Sequence, residues 1–308
     1  MDIALAPATV LAAGVLGFVR AVGVTRLPLC RRVLRRIGVF PIINHYYEPL
    51  FDPRKLRHSL DEERNLPGFD MNTDEQLRIL DLLHFGEEVK NLPRSKTSDL
   101  EFHLDNDMFF SGDAEYFYNM IRHHQPRTIV EIGSGSSTLI GLKAVRKNRE
   151  LDPSYQCNYI CIEPYEVPWL ETTGVTVIRK TVEVVPMATF EALQPGDILF
   201  IDSSHILRPQ GDVLFEYLEL LPSLPVGVIV HIHDIFSPRD YPQRWVVDEV
   251  RLWNEQYLLE AFLTSNHAWK IIGALNYLQH NYHDRLRVVC PSLTPHGEPA
   301  SLYLQKIR

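Results

Sequence analysis

Short apolar runs alternate with helical segments from Thr128 to the C-terminus, a pattern typical of a parallel sheet wound with helices. We therefore expect an α/β fold with a mostly parallel sheet and helices on both faces. The pattern predicts strands at Thr128–Ile132, Tyr159–Ile162, Val175–Ile178, Ile198–Ile201 and Val226–Ile232, with Trp269–Ile272 and Ser301–Gln305 as a closing pair. Helices are predicted at Ser137–Lys147, Pro168–Glu171, Met187–Leu193 and Asp212–Leu221, followed by a long amphipathic helix at Trp245–Leu263.

The region before the predicted sheet has a different pattern. Apolar residues recur at helical spacing in Thr73–Phe85 and Ala114–His123, whereas residues 44–53 are rich in aromatics and turn formers without any period. We expect three regions: an apolar and arginine-rich segment at 1–40, a helical cap at 41–125, and a catalytic domain at 126–308.

The first forty residues allow several interpretations. Ile3–Val19 is almost wholly apolar and six arginines follow it, the first being Arg20. A secretory signal would place basic charge before the apolar run, and here only Asp2 precedes it. A short membrane anchor, an interfacial helix and a packed or oligomer-forming helix stay open. Peripheral membrane association through residues 3–36 is one expectation, and a homo-oligomer is another.

Composition places the chain among ordinary globular proteins. It has 308 residues, of which 45% are hydrophobic and 23% are charged, and its formal net charge is −8. That charge disfavours broad nucleic-acid binding, which requires a basic face. The four cysteines form no paired metal-binding motif, so we expect reduced thiols and a cytoplasmic protein.

A glycine-containing loop lies where nucleotide-binding loops occur. The predicted strand that ends near Glu131 leads through Gly133-Ser134-Gly135-Ser136-Ser137-Thr138 into a helix. Glycines let the backbone approach a ligand closely, and the helix N-terminus offers unpaired N–H groups. Thr138 stands where a NAD fingerprint has Gly or Ala, which disfavours NAD. Glu163 follows the next strand, where a carboxylate would accept hydrogen bonds from a ribose diol.

Three motifs make the chain similar to a known family. Val130–Gly135, Ile162–Pro164 and Gly196–Asp202 resemble the first, second and fourth motifs of class I S-adenosylmethionine-dependent methyltransferases, which have a Rossmann-like fold. Three further stretches resemble one bacterial branch that includes macrolide-sugar and glycan O-methyltransferases and the cephalosporin hydroxylase type: Asp202–His205, His231–Phe236 and Trp253–Tyr257.

The resemblance implies a set of cofactor-binding residues. Glu131 and the loop formed by Gly133, Ser134, Gly135, Ser136 and Ser137 would hold the methionine and ribose, and Glu163 the ribose hydroxyls. Thr181 and Val182 would flank the adenine. Ser137 departs from the family pattern, because many members have a third glycine at that position.

Acidic and histidine residues follow two neighbouring predicted strands. Asp202 and Asp234 come at strand ends that open α/β sheets direct toward a ligand crevice, and His205 and His233 lie beside them. Asp202, His233 and Asp234 could hold Mg²⁺ or Mn²⁺, as the related sugar methyltransferases hold a cation at these strand ends. His205 is the predicted general base, with Asp202 and His233 as further catalytic residues.

The leading hypothesis is methyl transfer to a hydroxyl of a sugar or other polyhydroxylated small molecule, with a small-molecule or glycan acceptor. Two alternatives stay open. Asp202, His205 and His233 could supply the two histidines and one carboxylate of a non-haem metal-dependent hydroxylase, or the fold could bind the cofactor without turnover.

Overall fold

The computed structural model describes residues 1–165 and 167–308. The first part of the chain contains helices α1 (Asp2–Val22), α2 (Pro28–Ile37), α3 (Thr73–Leu82), α4 (Gly86–Val89) and α5 (Asp113–His124). Strands and helices then alternate through β1 (Thr128–Ile132), α6 (Ser136–Leu151), β2 (Asn158–Ile162), β3 (Thr176–Ile178), α7 (Ala188–Glu191), β4 (Ile198–Ile201), α8 (Asp212–Phe215), α9 (Leu221–Ser223) and β5 (Ile229–Ile232). The last elements are α10 (Glu255–Leu263), β6 (Trp269–Ala274), α11 (Leu275–Val289) and β7 (Leu302–Lys306).

The strands form one sheet in the order β3-β2-β1-β4-β5-β7-β6. The first five strands pair in parallel, and β7 is antiparallel to both β5 and β6. Neighbouring strand residues face opposite sides of the sheet, so Ile129 belongs to the core cluster that contains residues of α5 and α6, while Val130 belongs to the cluster that contains residues of α8 and α10. The predicted Rossmann-like α/β class, with helices on both faces, is confirmed.

The reversal of strand order at β1 and β4 fixes where a ligand can bind. β2 and β3 lie on one side of β1, and β4 and β5 lie on the other. In open α/β sheets the crevice beyond the carboxyl ends of such strands is the usual ligand site. The loops after β1, β2, β4 and β5 therefore meet at one edge, and these loops carry the predicted site residues.

The predicted long helix at Trp245–Leu263 is wrong over its first half. Residues 244–248 form one π-helical turn, Val250 has a φ of +54°, and α10 begins only at Glu255. Hydrogen bonds to a distant segment fix the start of α10, because the N–H groups of Asn254 and Glu255 donate to the carbonyl of His205. The pattern of apolar residues continues across this break, which is why periodicity alone did not reveal it.

Helix α11 was missing from the sequence prediction. It buries Leu275, Leu278, Leu286 and Val289, whose spacing is helical, but buried polar residues lie between them. One of these, Gln279, donates from its amide nitrogen to the carbonyl of Thr294. Tertiary hydrogen bonds thus allow polar side chains on a buried helix face, and the apolar signal is diluted.

The chain divides into two compact units. One contains Met1–Ser59 and Val247–Leu252, and the other contains Leu60–Val246 and Trp253–Arg308. The sheet and every predicted site residue belong to the second unit. The predicted boundaries at residues 40 and 125 stay a prediction.

Candidate functional site

The loop between β1 and α6 passes close to the end of β4. Gly133 has a φ of +78°, and a Cβ atom there would lie 1.9 Å from the carbonyl oxygen of Asp202. Its N–H donates to the carbonyl of Ile162 at 3.0 Å, so the loop is tied to β2 as well. Only glycine allows this approach without displacement of the backbone. Gly135 differs, because its backbone is extended and no atom of the described residues lies within 4 Å of the position that a Cβ atom would occupy.

Glu131 lies behind this loop and is fully buried. Both of its oxygens accept hydrogen bonds from α6, one from Ser137 Oγ at 2.5 Å and one from Thr138 Oγ1 at 2.8 Å. Burial raises the pKa of Glu131 to about 7, although the two hydroxyls act against that rise. Glu131 and Ser137 therefore hold the loop from behind, and their contact with a cofactor stays a prediction.

Glu163 connects the two loops at this edge. Its carboxylate accepts from the Ser134 N–H at 3.1 Å and from the Tyr165 N–H at 2.8 Å. It also lines a cavity of about 240 Å³ at the carboxyl ends of β1, β2 and β4. An oxygen of a carboxylate has two lone pairs, so each can accept one further hydrogen bond. Glu163 therefore organises the loop and keeps acceptor capacity at the cavity, and its contact with a ribose diol stays a prediction.

The cavity brings together several predicted cofactor residues. Gly133, Glu163, Thr181 and Val182 line it, and so does Asp202. Ser134 contributes its backbone, and its buried hydroxyl has no hydrogen-bond partner within residues 1–165 and 167–308. Ser136 is the first residue of α6. The sequence did not identify six further polar residues of the cavity as site residues: Tyr165, Glu183, Ser203, Ser204, Arg208 and Asp212. Ser203 and Ser204 lie within the stretch Asp202–His205, but the resemblance assigned them no role.

Four predicted residues of the acidic and histidine cluster do converge. His205 Nε2 lies 3.3 Å from Asp202 Oδ1 and 3.4 Å from Asp234 Oδ2. His233 Nδ1 lies 3.6 Å from Asp202 Oδ1 and 3.5 Å from Asp234 Oδ1. Both histidines are buried. Asp202 belongs to this cluster and to the cavity wall, so the two sites are adjacent.

Two buried acidic residues behind the histidines were not predicted. Glu255 Oε2 lies 2.8 Å from His205 Nδ1, and Glu255 Oε1 accepts from the Tyr217 hydroxyl at 2.9 Å. On the other side, Asp113 Oδ2 lies 3.8 Å from His233 Nε2. A carboxylate beside one ring nitrogen fixes the orientation of a histidine and directs the other nitrogen toward its target.

The charges in this cluster shift the pKa values of its members. Burial acts to lower the pKa of His205, but its hydrogen bonds to Asp202 and Glu255 raise that pKa well above the usual value. For His233, burial is likewise outweighed by Asp234 and Asp202, and its pKa is raised. Burial acts to raise the pKa of Asp202, yet the two histidines lower it. Burial raises the pKa of Asp234.

Two cluster residues have strained backbones. His205 has a φ of +60° and Asp234 has a φ of +59°. Non-glycine residues in this region cost roughly 1 to 3 kcal/mol each and concentrate at functional sites. Here the left-handed turns direct both side chains to one point.

The cluster contains a set of atoms that could hold a cation. One ligand atom from each of Asp202, His233 and Asp234 can be chosen so that all lie within 4.8 Å of one another. His233 Nδ1 is buried between the two carboxylates and has no hydrogen-bond partner among the residues that the structure describes. Two oxygens and one imidazole nitrogen suit Mn²⁺ or Mg²⁺. This set has one histidine, so it departs from the two-histidine arrangement of the hydroxylase alternative.

Aromatic rings lie beside His205. The Trp253 ring centroid is 4.3 Å from that of His205, and Trp245 lies 5.0 Å from Trp253. Phe236 and Tyr241 complete what we call the aromatic cluster. Trp245 and Trp253 are partly exposed, so they offer ring surface near the histidine.

Comparisons with known proteins are consistent with this geometry. A family model described as a methyltransferase domain matches residues 130–235, from β1 to just beyond β5. An uncharacterized protein of Archaeoglobus fulgidus is 27% identical over 180 residues, which is 53% of this chain and 78% of that protein.

Solved structures that match part of the chain include two O-methyltransferases. One is TomG from Streptomyces achromogenes in complex with S-adenosylmethionine, at 13% identity and a TM-score of 0.38 over 76% of this chain and 91% of that one. The other is from Bacillus cereus in complex with S-adenosylhomocysteine, at 13% identity and a TM-score of 0.38 over 77% and 91%.

Proposed function

We propose that this chain, whose residues 130–235 match a methyltransferase domain, is a class I S-adenosylmethionine-dependent methyltransferase that methylates a hydroxyl of a sugar or another polyhydroxylated small molecule. The observation that carries the proposal is the position of Asp202. This residue lines the cavity beside Glu163 and also lies 3.3 Å from His205 Nε2. A methyl donor in the cavity and an acceptor at the cluster would therefore be neighbours.

Methyl transfer is an in-line displacement. The acceptor oxygen attacks the methyl carbon, the bond from that carbon to sulfur breaks, and the acceptor loses its proton. A hydroxyl is a poor nucleophile unless the proton is removed as the bond forms, whereas a neutral amine needs no such help at that stage. A buried histidine between carboxylates suits the hydroxyl reaction, and His205 is the proposed proton acceptor.

His205 is held for this role by its neighbours. Glu255 is hydrogen-bonded to Nδ1, which leaves Nε2 directed toward Asp202 and Asp234. These acidic groups raise the pKa of His205, which favours the protonated form of the ring. Positive charge at Asp202 and Asp234 would lower that pKa and make the ring available as a base.

A divalent cation fits this requirement, and Asp202, His233 and Asp234 would hold it. When bound, such a cation lowers the pKa of a nearby hydroxyl and fixes its direction. Asp113 beside His233 Nε2 would then orient that ring, as acidic residues do behind metal-binding histidines.

The aromatic cluster supports a sugar-like acceptor. Trp253 and Trp245 offer partly exposed rings beside His205. Aromatic faces pack on the apolar side of a sugar ring, while carboxylates accept hydrogen bonds from its hydroxyls.

Metal binding can be tested without knowing the acceptor. We expect Mn²⁺ to bind the full chain and to be removed by EDTA. Electron paramagnetic resonance measures the bound and free Mn²⁺. Asp234→Asn should weaken Mn²⁺ binding by at least about tenfold, while S-adenosylhomocysteine affinity, measured by calorimetry, stays nearly unchanged because Asp234 is outside the cavity wall.

The exposed Asp284 provides a matched control, since Asp284→Asn makes the same chemical change outside the cluster. Absence of Mn²⁺ and Mg²⁺ binding, with the cofactor affinity intact, would remove the cation from the mechanism and leave His205 as an unassisted base.

A further inference from the structure

Helix α1 is apolar around its whole circumference and almost entirely exposed. Between Asp2 and Arg20 it carries no charged residue, and Val19 is its one buried residue. Leu11 is 73% exposed and Phe18 66%. A helix that is hydrophobic on all sides is typical of a buried or membrane environment. By length and composition α1 is able to cross a membrane.

The dimensions and the polar groups of α1 agree with insertion into lipid. Its 21 residues span roughly 31 Å, at about 1.5 Å per residue, which is close to the ~30 Å hydrocarbon core of a bilayer. The Thr9 hydroxyl donates to the Leu5 carbonyl at 3.0 Å, so this polar group needs no water. Lipid can therefore surround the helix without leaving a side-chain donor unsatisfied.

Helix α2 has two distinct faces. At 3.6 residues per turn, Leu29, Val33 and Ile37 lie on one face of the helix. The other face carries four exposed arginines, Arg31, Arg32, Arg35 and Arg36. An exposed helix with one apolar and one basic face is the form that lies in the plane of a membrane surface.

The charge of the N-terminal segment indicates which kind of lipid surface it would bind. Residues 1–38 contain six arginines and one acidic residue, in a chain whose net charge is −8. The basic residues follow the apolar helix directly, as they do on the cytoplasmic side of membrane proteins. Anionic lipid headgroups are the partner whose charge complements this segment.

We propose that α1 inserts into a lipid bilayer and that α2 lies in its anionic headgroup layer, so that the methyltransferase unit is attached to the cytoplasmic face of a membrane. Leu29, Val33 and Ile37 face the acyl chains, and the arginines of α2 contact the headgroups. This inference does not depend on which acceptor is methylated.

Vesicle flotation of the full chain tests the proposal. We expect the chain to float with vesicles of equal parts phosphatidylcholine and phosphatidylglycerol and to resist extraction by both high salt and alkaline carbonate. Leu11→Asp combined with Val15→Asp should abolish flotation. Changing Arg31, Arg32, Arg35 and Arg36 to Gln should reduce the preference for anionic over pure phosphatidylcholine vesicles by at least about tenfold, since each basic residue contributes roughly fivefold.

Matched controls come from exposed residues of the other unit. Val288→Asp and Arg287→Gln make the same chemical changes on α11 and should leave flotation unchanged. Calorimetry with S-adenosylhomocysteine reports separately whether each variant is folded, so that failure of the cofactor site and failure of membrane attachment are distinguishable.

Several results would overturn the proposal. A chain that stays unbound with anionic vesicles refutes it, and release by salt or carbonate shows surface adsorption without insertion. An assembly in detergent-free solution that Leu11→Asp and Val15→Asp dissociate, without vesicle binding, would show that a second copy covers α1. Equal loss in the Val288→Asp control would show that binding is non-specific.

Discussion

The carbonyl oxygen of Asp202 lies 1.9 Å from the position that a Cβ atom on Gly133 would occupy. This close approach joins the loop between β1 and α6 to Asp202, which belongs both to the cavity wall and to the acidic and histidine cluster. We expect Gly133→Ala to lower the free energy of unfolding by roughly 1 to 3 kcal/mol, because its φ of +78° adds strain to the collision. Chemical denaturation measures this change.

Gly135→Ala is the matched control for that variant. In the described part of the chain no atom lies within 4 Å of its Cβ position, and its backbone is extended, so the free energy of unfolding should be nearly unchanged. If the loop holds the cofactor, Gly135→Ala should instead lower S-adenosylhomocysteine affinity. Equal free energies of unfolding for Gly133→Ala and Gly135→Ala would contradict the claim that the approach to Asp202 requires glycine at position 133.

Glu163 provides the second prediction. Glu163→Gln should lower S-adenosylhomocysteine affinity by roughly 1.5 to 3 kcal/mol, the usual contribution of hydrogen bonds to a charged group. Calorimetry measures this loss, with Glu150→Gln on the exposed end of α6 as the control. Unchanged affinity would limit Glu163 to its hydrogen bonds with the Ser134 and Tyr165 backbone.

Glu131 should make stability depend on pH. Its folded-state pKa of about 7 exceeds the ordinary value of 4.5, since burial favours the protonated form. Its favourable contribution is therefore present below pH 4.5 and is lost as the pH rises through 7. As the pH rises from 4.5 to 8, the free energy of unfolding of Glu131→Gln should increase by roughly 3 kcal/mol relative to that of the wild type. Denaturation at both pH values tests this, and a constant difference would contradict it.

Glu255 is predicted to position His205. Glu255→Gln should lower kcat by roughly tenfold to a hundredfold with little change in KM. It should also move the acidic limb of the pH–rate profile to lower pH, because the Glu255 carboxylate is among the groups that raise the pKa of His205. The exposed Glu219→Gln is the control. An unmoved pH profile with the same loss of kcat would indicate a structural role alone.

Much of this site could be predicted from the sequence because strand ends and motifs mark it. Asp202, His205, His233 and Asp234 follow β4 and β5 directly, so parallel topology brings them together. Glu255 lies in the stretch Trp253–Tyr257 that the resemblance marked, but neither it nor Asp113 could be assigned to the site in the same way. They reach the histidines from α10 and α5, which are distant in sequence, and only tertiary packing places them there.

The fold shows the same division. Buried parallel strands such as β1 and β4 were predicted with their observed bounds, because continuous apolar runs between turns mark them clearly. The break before α10 and the existence of α11 depend on hydrogen bonds between distant residues, such as that from the Asn254 N–H to the His205 carbonyl. Periodicity contains no information about such contacts.

Product analysis tests the proposed methyl transfer most directly. The full chain is incubated with Mg²⁺, a panel of sugars and polyhydroxylated natural products, and S-adenosylmethionine that carries a deuterium-labelled methyl group; mass spectrometry follows the products. We predict an acceptor that gains the labelled methyl, with the product lost in His205→Ala and retained in the exposed-surface control His267→Ala. A product that gains oxygen, dependent on iron and O₂ and independent of S-adenosylmethionine, would contradict the account.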